Sequence, residues 1–501
     1  MQQSSSTART LSPNVLLALV CLGVFLAALD QTSVVTALPE IMLDLGITID
    51  RLDSVAWTVT AYLLGFTVAM PLLGRAGDIY GYRRLYQGAL LLFAVGSVLV
   101  AVADSLSWLL VARVVQAVGG GALLPAAIAL ASEGFPMARR GIVFGIVGAA
   151  AETGAVLGPL YGGVLIHTLG WRWIFWTNLV PVAVLLIGLL AVHEVGRREG
   201  RLDLRGGLLL AAGLTLLTLA LAQRSTFGAD SVIPYMVVAA AVAILAMLLV
   251  AEARTVQPLL HPALVFARPF VAAFFAQLLT GGALIMALVT VPLMTDTVLG
   301  QPPLEGGLRL MRFTGAIPVG ALAGGYAIHW LGCRLPTVIG LGIASLGFLF
   351  MSRWDLEIAE PALTLHLVVG GLGFGLVIAP LLETAVNAGD ETYRGTAAAL
   401  ITAARMLGMT LGLAALSAWG MGHFQLLTVE LAFPIPAVGE TASVFQERLA
   451  AYQTGVADAS IEVFSAFFRA GALLCLAAAV PALFMYGPRR GRRRGRVRAR
   501  E

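Results

Sequence analysis

Along this chain, apolar runs of helical length alternate with short clusters of charged or turn-forming residues. A helix needs about 20 mostly apolar residues to cross the ~30 Å hydrocarbon layer of a bilayer. Runs of that kind predict spans near 14–39, 55–74, 85–103, 107–132, 141–166 and 174–194. Two more follow near 207–222 and 236–252, and six near 270–294, 305–330, 336–353, 363–385, 396–420 and 461–486. The pattern predicts fourteen membrane helices and no soluble domain.

The distribution of arginine tests that number. With the N-terminus inside, the inner turns and tails carry 22 arginines and the outer turns carry five (Arg51, Arg172, Arg224, Arg353 and Arg448). Inner loops are enriched in basic residues, and a miscount by one span would break the bias partway along. Both ends are therefore expected inside. The first run, Val15 to Leu38, is too long for a signal-peptide core and is read as a retained first span. The one long outer connection, Met421 to Ser460, contains Val444 to Tyr452 with apolar residues at 3–4 spacing, which predicts an amphipathic helix lying on the outer face. The outer turn from Arg353 to Pro361 is short, so no extension of a path beyond the bilayer is expected there.

Composition agrees. Of 501 residues, 59% are hydrophobic and 12% charged, and the mean hydropathy is +0.89. Soluble proteins carry about twice that charge, so a soluble enzyme or a disordered chain is excluded. The net charge of +4 does not signal a nucleic-acid partner. Eight of the 32 basic residues, all arginine, lie between Arg489 and Arg500, and no aromatic residue is interleaved with them. That tail reads as an anchor to anionic headgroups on the inner face. Cys21, Cys333 and Cys475 lie in or beside apolar runs, with neither disulfide nor metal spacing.

Three groups of residues carry a family resemblance. Between spans two and three stands Gly74-Arg75-Ala76-Gly77-Asp78-Ile79-Tyr80-Gly81-Tyr82-Arg83-Arg84. Its glycines allow a tight turn, and Asp78 can cap a helix start or pair with an arginine. A related trace, Gly320 to Gly325 and then Gly332-Cys333-Arg334, occupies the equivalent turn of the second half, with Gly324 at the aspartate position. Span one contains Asp30 to Pro39, span four Arg113 to Ala122, and span five Gly154, Gly158, Pro159, Gly162 and Gly163. Together these resemble the major facilitator superfamily, and within it the fourteen-span drug:proton antiporters. Thr36 and Ala117 stand where that family has Asn and Gly. Pro258-Leu259-Leu260, ahead of Phe266 to Phe270, is similar to the family's linker into the second half. A narrower resemblance, carried by Ala149 to Tyr161 around Glu152, by Ala404 to Met409 around Arg405, and by Leu416 to Trp419, is to the mycobacterial triacylglyceride exporters of this family.

The resemblance implies an all-α major facilitator fold with a 6+2+6 arrangement. Residues 1–194 would form the first half, 195–269 a two-helix insertion, 270–486 the second half and 487–501 the basic inner tail. GxxxG spacing in span five lets helices approach closely, and Pro159 bends the helix and frees a carbonyl. In this family that motif marks exporters.

Charges inside a membrane cost roughly 2.5–3.5 kcal/mol each by insertion scales, so each is a functional candidate. Asp30, Glu152, Arg113 and Arg405 lie well inside spans one, five, four and thirteen. Asp30 and Glu152 are assigned proton coupling, with Arg113 and Arg405 as charge partners; the alternative is a static ion pair that fixes helix register. Glu383 and Arg469, nearer span ends, read as snorkelling residues, and His366 as a residue of the outer surface. Arg309 and Arg312 share a face at the outer end of span ten and read as headgroup anchors, with steering of an anionic group as the alternative.

The expected function is export of lipophilic or amphiphilic compounds from the inner membrane in exchange for protons, by alternating access. Export of lipids such as triacylglycerides is the alternative, with an outer-face lipoprotein as a partner in that case. An uptake symporter and a lipid-modifying membrane enzyme are lesser rivals. No cofactor is expected, because the chain has no GxxxxGK[ST] phosphate loop and a proton gradient supplies the energy.

Overall fold

The structure is a computed structural model. It describes residues 12–47, 52–191, 203–222, 232–252, 255, 261–356, 358–389, 393–429, 431, 433–435 and 441–485. The basic tail lies outside the described residues.

Every regular element among the described residues is a helix. The first half contains α1 (Pro13–Asp44), α2 (Leu52–Tyr80), α3 (Tyr82–Ala101), α4 (Leu106–Gly134) and α5 (Arg140–Leu169). The short α6 (Trp173–Trp176) and α7 (Leu179–Leu190) together make its sixth crossing. Then come α8 (Leu204–Ala222), α9 (Ile233–Glu252) and the one-turn α10 (Pro262–Val265). The second half contains α11 (Arg268–Thr297), α12 (Pro303–Leu331), α13 (Arg334–Met351), α14 (Glu360–Val386), α15 (Arg394–Thr428) and α16 (Ala442–Ala482). Helices stand at all fourteen expected places. Twelve, among the described residues, are long and apolar enough to cross a membrane. The other two are α8, whose described apolar stretch is Arg205–Leu217, and α12, which carries Glu305, Arg309 and Arg312 in its first three turns.

Local sequence sets the ends. Ser12 accepts the Val15 N–H and Pro13 opens α1, the arrangement a helix start favours. Gly81, after α2, and Gly332, after α12, both have positive φ (100° and 71°), a conformation glycine reaches without steric cost. These two matched turns correct the register of the internal repeat. Seven residues before each lie Gly74 and Gly325, and each touches the other half. The second-half residue matching Asp78 is therefore His329, not Gly324.

Lipid tails are as apolar as leucine, so helices associate here through close contact rather than burial from water. Gly154, Gly158 and Gly162 form one face of α5 laid on α1: a methyl group on Gly158 would meet the Leu29 carbonyl at 2.7 Å, and one on Gly162 the Ser33 carbonyl at 2.7 Å. The same device joins α11 to α15 through Gly281, Gly408 and Gly412.

The outer segment differs from expectation. Val444 to Tyr452 does not lie along the membrane surface but forms the first turns of the 41-residue α16. At 1.5 Å per residue that helix is about 62 Å long, roughly twice the hydrocarbon thickness. Its neighbour α15 has 35 residues. The two project beyond the bilayer together, held by Gly455 against Leu431 and by the Phe433–Tyr452 ring contact at 5.4 Å. The helices are therefore extended beyond the length of a span at this connection and not at the Arg353–Pro361 turn.

Gly158→Ala is expected to lower the thermal unfolding temperature in detergent, since overpacking a close contact costs about 1–3 kcal/mol. Gly163→Ala, on the opposite face with nothing within 4 Å, is expected to leave it unchanged or raise it.

Candidate functional site

Between the halves lies a cavity of about 1590 Å³, walled by α1, α2, α4, α5, α11, α12 and α15. It extends toward the arginine-poor end, past His167 of α5, Leu308 of α12 and Gln425 of α15. At the arginine-rich end the halves are closed on each other. Asp78 Oδ1 accepts the Gly395 N–H (2.9 Å) and Tyr82 O–H (2.6 Å), while Oδ2 accepts the Thr396 N–H (3.2 Å) and O–H (2.6 Å). Asp78 thus caps the start of α15 from the opposite half, where an anion is favoured by the helix dipole. Gly74 and Gly395 meet without side chains between them, and Arg75 lies over the Tyr393 ring at 4.8 Å. Gly81 supplies the turn, Arg83 reaches Gln87 at 3.5 Å, and Arg84 is exposed at the start of α3.

Glu152 and Arg405 face each other across the cavity. The Arg405 guanidinium donates to Glu152 Oε1 at 2.5 Å, joining α5 of one half to α15 of the other. Both line the lumen and keep 14–18% of their side-chain surface exposed. Pro159 and Gly163 line the lumen beside them, whereas Gly154, Gly158 and Gly162 face α1. The antiporter motif therefore has one structural face and one cavity face.

Asp30 and Arg113 also form a pair, at 3.0 Å, but inside the first half. Neither lines the cavity. Asp30 Oδ1 accepts from Asn178 (2.7 Å) and Gln116 (3.0 Å), Gln116 also donates to Ser97 (2.9 Å), and the Arg113 Nη1 donates to Gln116 as well (2.6 Å). The Tyr62 ring stands 4.1 Å from the Arg113 guanidinium carbon, a distance for cation–π attraction. Of the two carboxylates assigned to proton coupling, Glu152 lines the cavity and Asp30 does not. Asp30 sits at the closed seam of α1, α3, α4 and α7, because Gly96 lets α3 close directly onto Gln116.

Other expectations shift too. Arg309 and Arg312 do not stand free as headgroup anchors; they clasp Glu360 of α14 at 2.7 and 2.6 Å. Glu383 does not snorkel: it is buried at the interface with α5. His366 is half-buried and accepts from the Trp354 indole at 3.1 Å. Arg469 is exposed, as expected for a residue at a span surface. Sequence reasoning missed Asn178, Ser97 and Tyr62. Asn178 carried a usable signal, an amide isolated in an apolar run.

The model of the Major Facilitator Superfamily matches residues 20–413. The chain belongs to the major facilitator superfamily. It is a multi-pass membrane transporter and not an enzyme. A protein of Mycolicibacterium hassiacum described as a triacylglyceride transporter is 39% identical, over 93% of this chain and 91% of that protein. Counterparts with the same description in Mycolicibacterium smegmatis and Mycobacterium tuberculosis are 38% and 37% identical, over 95% and 93% of this chain and 88% and 93% of theirs. These matches place the chain with the mycobacterial subgroup. Among solved structures, the human organic anion transporter MFSD10 superposes with a TM-score of 0.62 at 18% identity, over 92% of this chain and 99% of its own. The proton:xylose symporter XylE gives 0.60 at 15% identity, over 93% and 95%. Likeness at that identity shows the fold alone.

Removing one member of a buried ion pair costs about 3–5 kcal/mol, while replacing both is often nearly neutral. Arg113→Met alone is therefore expected to destabilise strongly, and adding Asp30→Asn to restore most of the loss. Thermal unfolding of the two single variants and the double variant measures that coupling.

Proposed function

We propose that this chain exports neutral lipids of the triacylglyceride class from the inner membrane, driven by proton entry and working by alternating access. The observation that carries the reading is the chemistry of the cavity wall. Its volume exceeds the 300–1,000 Å³ usual for small-molecule sites. Among the described residues lining it, Glu152 is the one carboxylate, and Arg405 already neutralises it. The threonines offer few donors: Thr32, Thr36, Thr67, Thr314, Thr402 and Thr410 give their hydroxyl protons to helix carbonyls at 2.7–3.2 Å. A large lumen with no unpaired charge, whose remaining side-chain donors among the described residues include Gln31, His167 and Gln425, suits a bulky ester, which only accepts, and leaves a lipophilic cation without a counter-charge. The descriptions of the mycobacterial relatives support the same substrate class, and multidrug efflux becomes the second reading.

In this reading the fourteen helices all span, as two six-helix halves joined by α8 and α9, and both termini lie inside. The arginine-rich closed end faces the cytoplasm and the cavity opens outward. Lipid enters or leaves between α5 and α12, which touch through Gly141, Gly145, Ala321 and Gly325 at the closed end but diverge as cavity walls at the other. The projecting α15 and α16 shield its route past the headgroups.

Glu152 carries the proton. The Arg405 guanidinium on its carboxylate ties the two halves across the lumen. Protonation removes the anion, releases Arg405 and lets the halves separate. One proton moving through 100 mV provides about 2.3 kcal/mol, enough for a roughly fiftyfold gradient. Asp30, held by three donors away from the lumen, keeps α1 in register with α4 and α7.

The test is transport in reconstituted vesicles under an imposed pH gradient, with a fluorescent triacylglyceride and with ethidium. The gradient is expected to drive release of the lipid, Glu152→Gln to lower that rate at least tenfold, and ethidium to stay put. Gradient-driven ethidium movement with an immobile lipid would reinstate drug efflux.

A further inference from the structure

The closed end has two seams, related by the internal repeat, and only one has a recognised carboxylate. At the first seam the α15 start, Arg394-Gly395-Thr396, lies on α2. A methyl group on Gly395 would stand 2.6 Å from the Gly74 carbonyl and 2.9 Å from Asp78 Oδ1. At the second seam the α5 start, Arg140-Gly141-Ile142, lies on α12. A methyl group on Gly141 would stand 3.0 Å from the Gly325 carbonyl and 2.8 Å from Glu383 Oε2. The two sets match element for element. Each has an Arg-Gly helix start, a facing glycine carbonyl seven residues before a positive-φ glycine, and a carboxylate against the first helical turn.

The carboxylates come from different places. Asp78 belongs to α2, within the loop motif itself. The second-half position equivalent to it holds His329, which is exposed and lies against Trp330 at 5.1 Å. Glu383 comes instead from α14, a helix that packs along α12 through Gly320, Gly371 and Gly375. It is 3% exposed although it is an acid in a membrane helix, a placement that is costly without a purpose.

We propose that Glu383 is the missing second latch of the inner gate. It supplies, from α14, the carboxylate that α12 lacks: Asp78 accepts three hydrogen bonds from the α15 start, whereas Glu383 sets its charge against the first turn of α5 and acts on the helix dipole, its Oε2 making no hydrogen bond there. Two latches of opposite parentage, one carboxylate from each half onto a helix start of the other, close the gate symmetrically. Either must let go before the cavity opens inward. Glu383 is in these terms a positioning residue: it touches no substrate and biases which end of the cavity is open. The proposal rests on alternating access and adds a residue that the loop motif does not predict.

The test measures the gate directly and needs no substrate. In a chain with Cys21, Cys333 and Cys475 replaced by alanine, spin labels at Met137 and Tyr326, both exposed, report the separation of the α5 and α12 ends. Pulsed dipolar spectroscopy in lipid nanodiscs then gives the shares of closed and separated gates. A carboxylate set against a helix start shifts an equilibrium by a few-fold, so Glu383→Gln is expected to raise the separated share about fivefold, and Asp78→Asn, which also loses hydrogen bonds to the α15 start, to raise it further. Gly141→Ala, which pushes on the same carboxylate while keeping its charge, is expected to act in the same direction, and it covers the case in which Glu383→Gln fails to fold. A wild-type gate that opens and closes with pH, alongside Glu383→Gln and Gly141→Ala distributions equal to wild type, overturns the latch and leaves alternating access standing. A wild-type gate fixed at one distance under every pH and lipid condition overturns alternating access itself.

Discussion

An ion taken out of water into a helix bundle must find its counter-charge, and this molecule is organised around where it does so. Asp30 with Arg113, Glu152 with Arg405, and Glu360 with Arg309 and Arg312 each satisfy that requirement, but in different settings. The first is sealed within one half and needs both partners to remain. The third ties the outer ends of α12 and α14 within the other half. Only the second spans the two halves and meets the lumen. A pair that joins the two halves bears on how they sit together; a pair within one half can only stiffen that half.

The shape of the cavity follows from where side chains are absent. Along α1 and α5, and along α11 and α15, glycines bring backbones together within each half. Between halves such contacts are confined to the arginine-rich end, at Gly74 with Gly395 and Gly141 with Gly325. Toward the other end larger residues such as Leu160, Leu308 and Met311 line the wall instead, and the halves part around the lumen. Contact between the halves at this end thus concentrates at two small seams, with Asp78 beside one and Glu383 beside the other.

The proposal of a lipid substrate rests on the wall chemistry. Threonine hydroxyls that bond to their own helices satisfy the scarcity of partners in hydrocarbon, and in doing so they withdraw donors from the substrate. What remains is size, apolar surface, one neutralised ion pair and a few amide and imidazole groups at Gln31, His167 and Gln425.

The helix positions, the arginine asymmetry and the charged residues worth testing were all written in the sequence, because a bilayer imposes local rules of length, apolarity and sidedness that each segment obeys alone. The motif around Asp78 and the glycine face of α5 were legible for the same reason. Pairing was not. Whether Asp30 or Glu152 meets the lumen, that Asn178 serves Asp30, that Arg309 and Arg312 clasp Glu360, and that Glu383 lies against Gly141 all depend on contacts between residues tens to hundreds of positions apart. The repeat register was misread by five residues because glycines are frequent and only the two matched positive-φ turns single out the right ones. The outer helix was misplaced because an amphipathic pattern records which face is covered, and only the tertiary structure decides whether membrane or a neighbouring helix covers it.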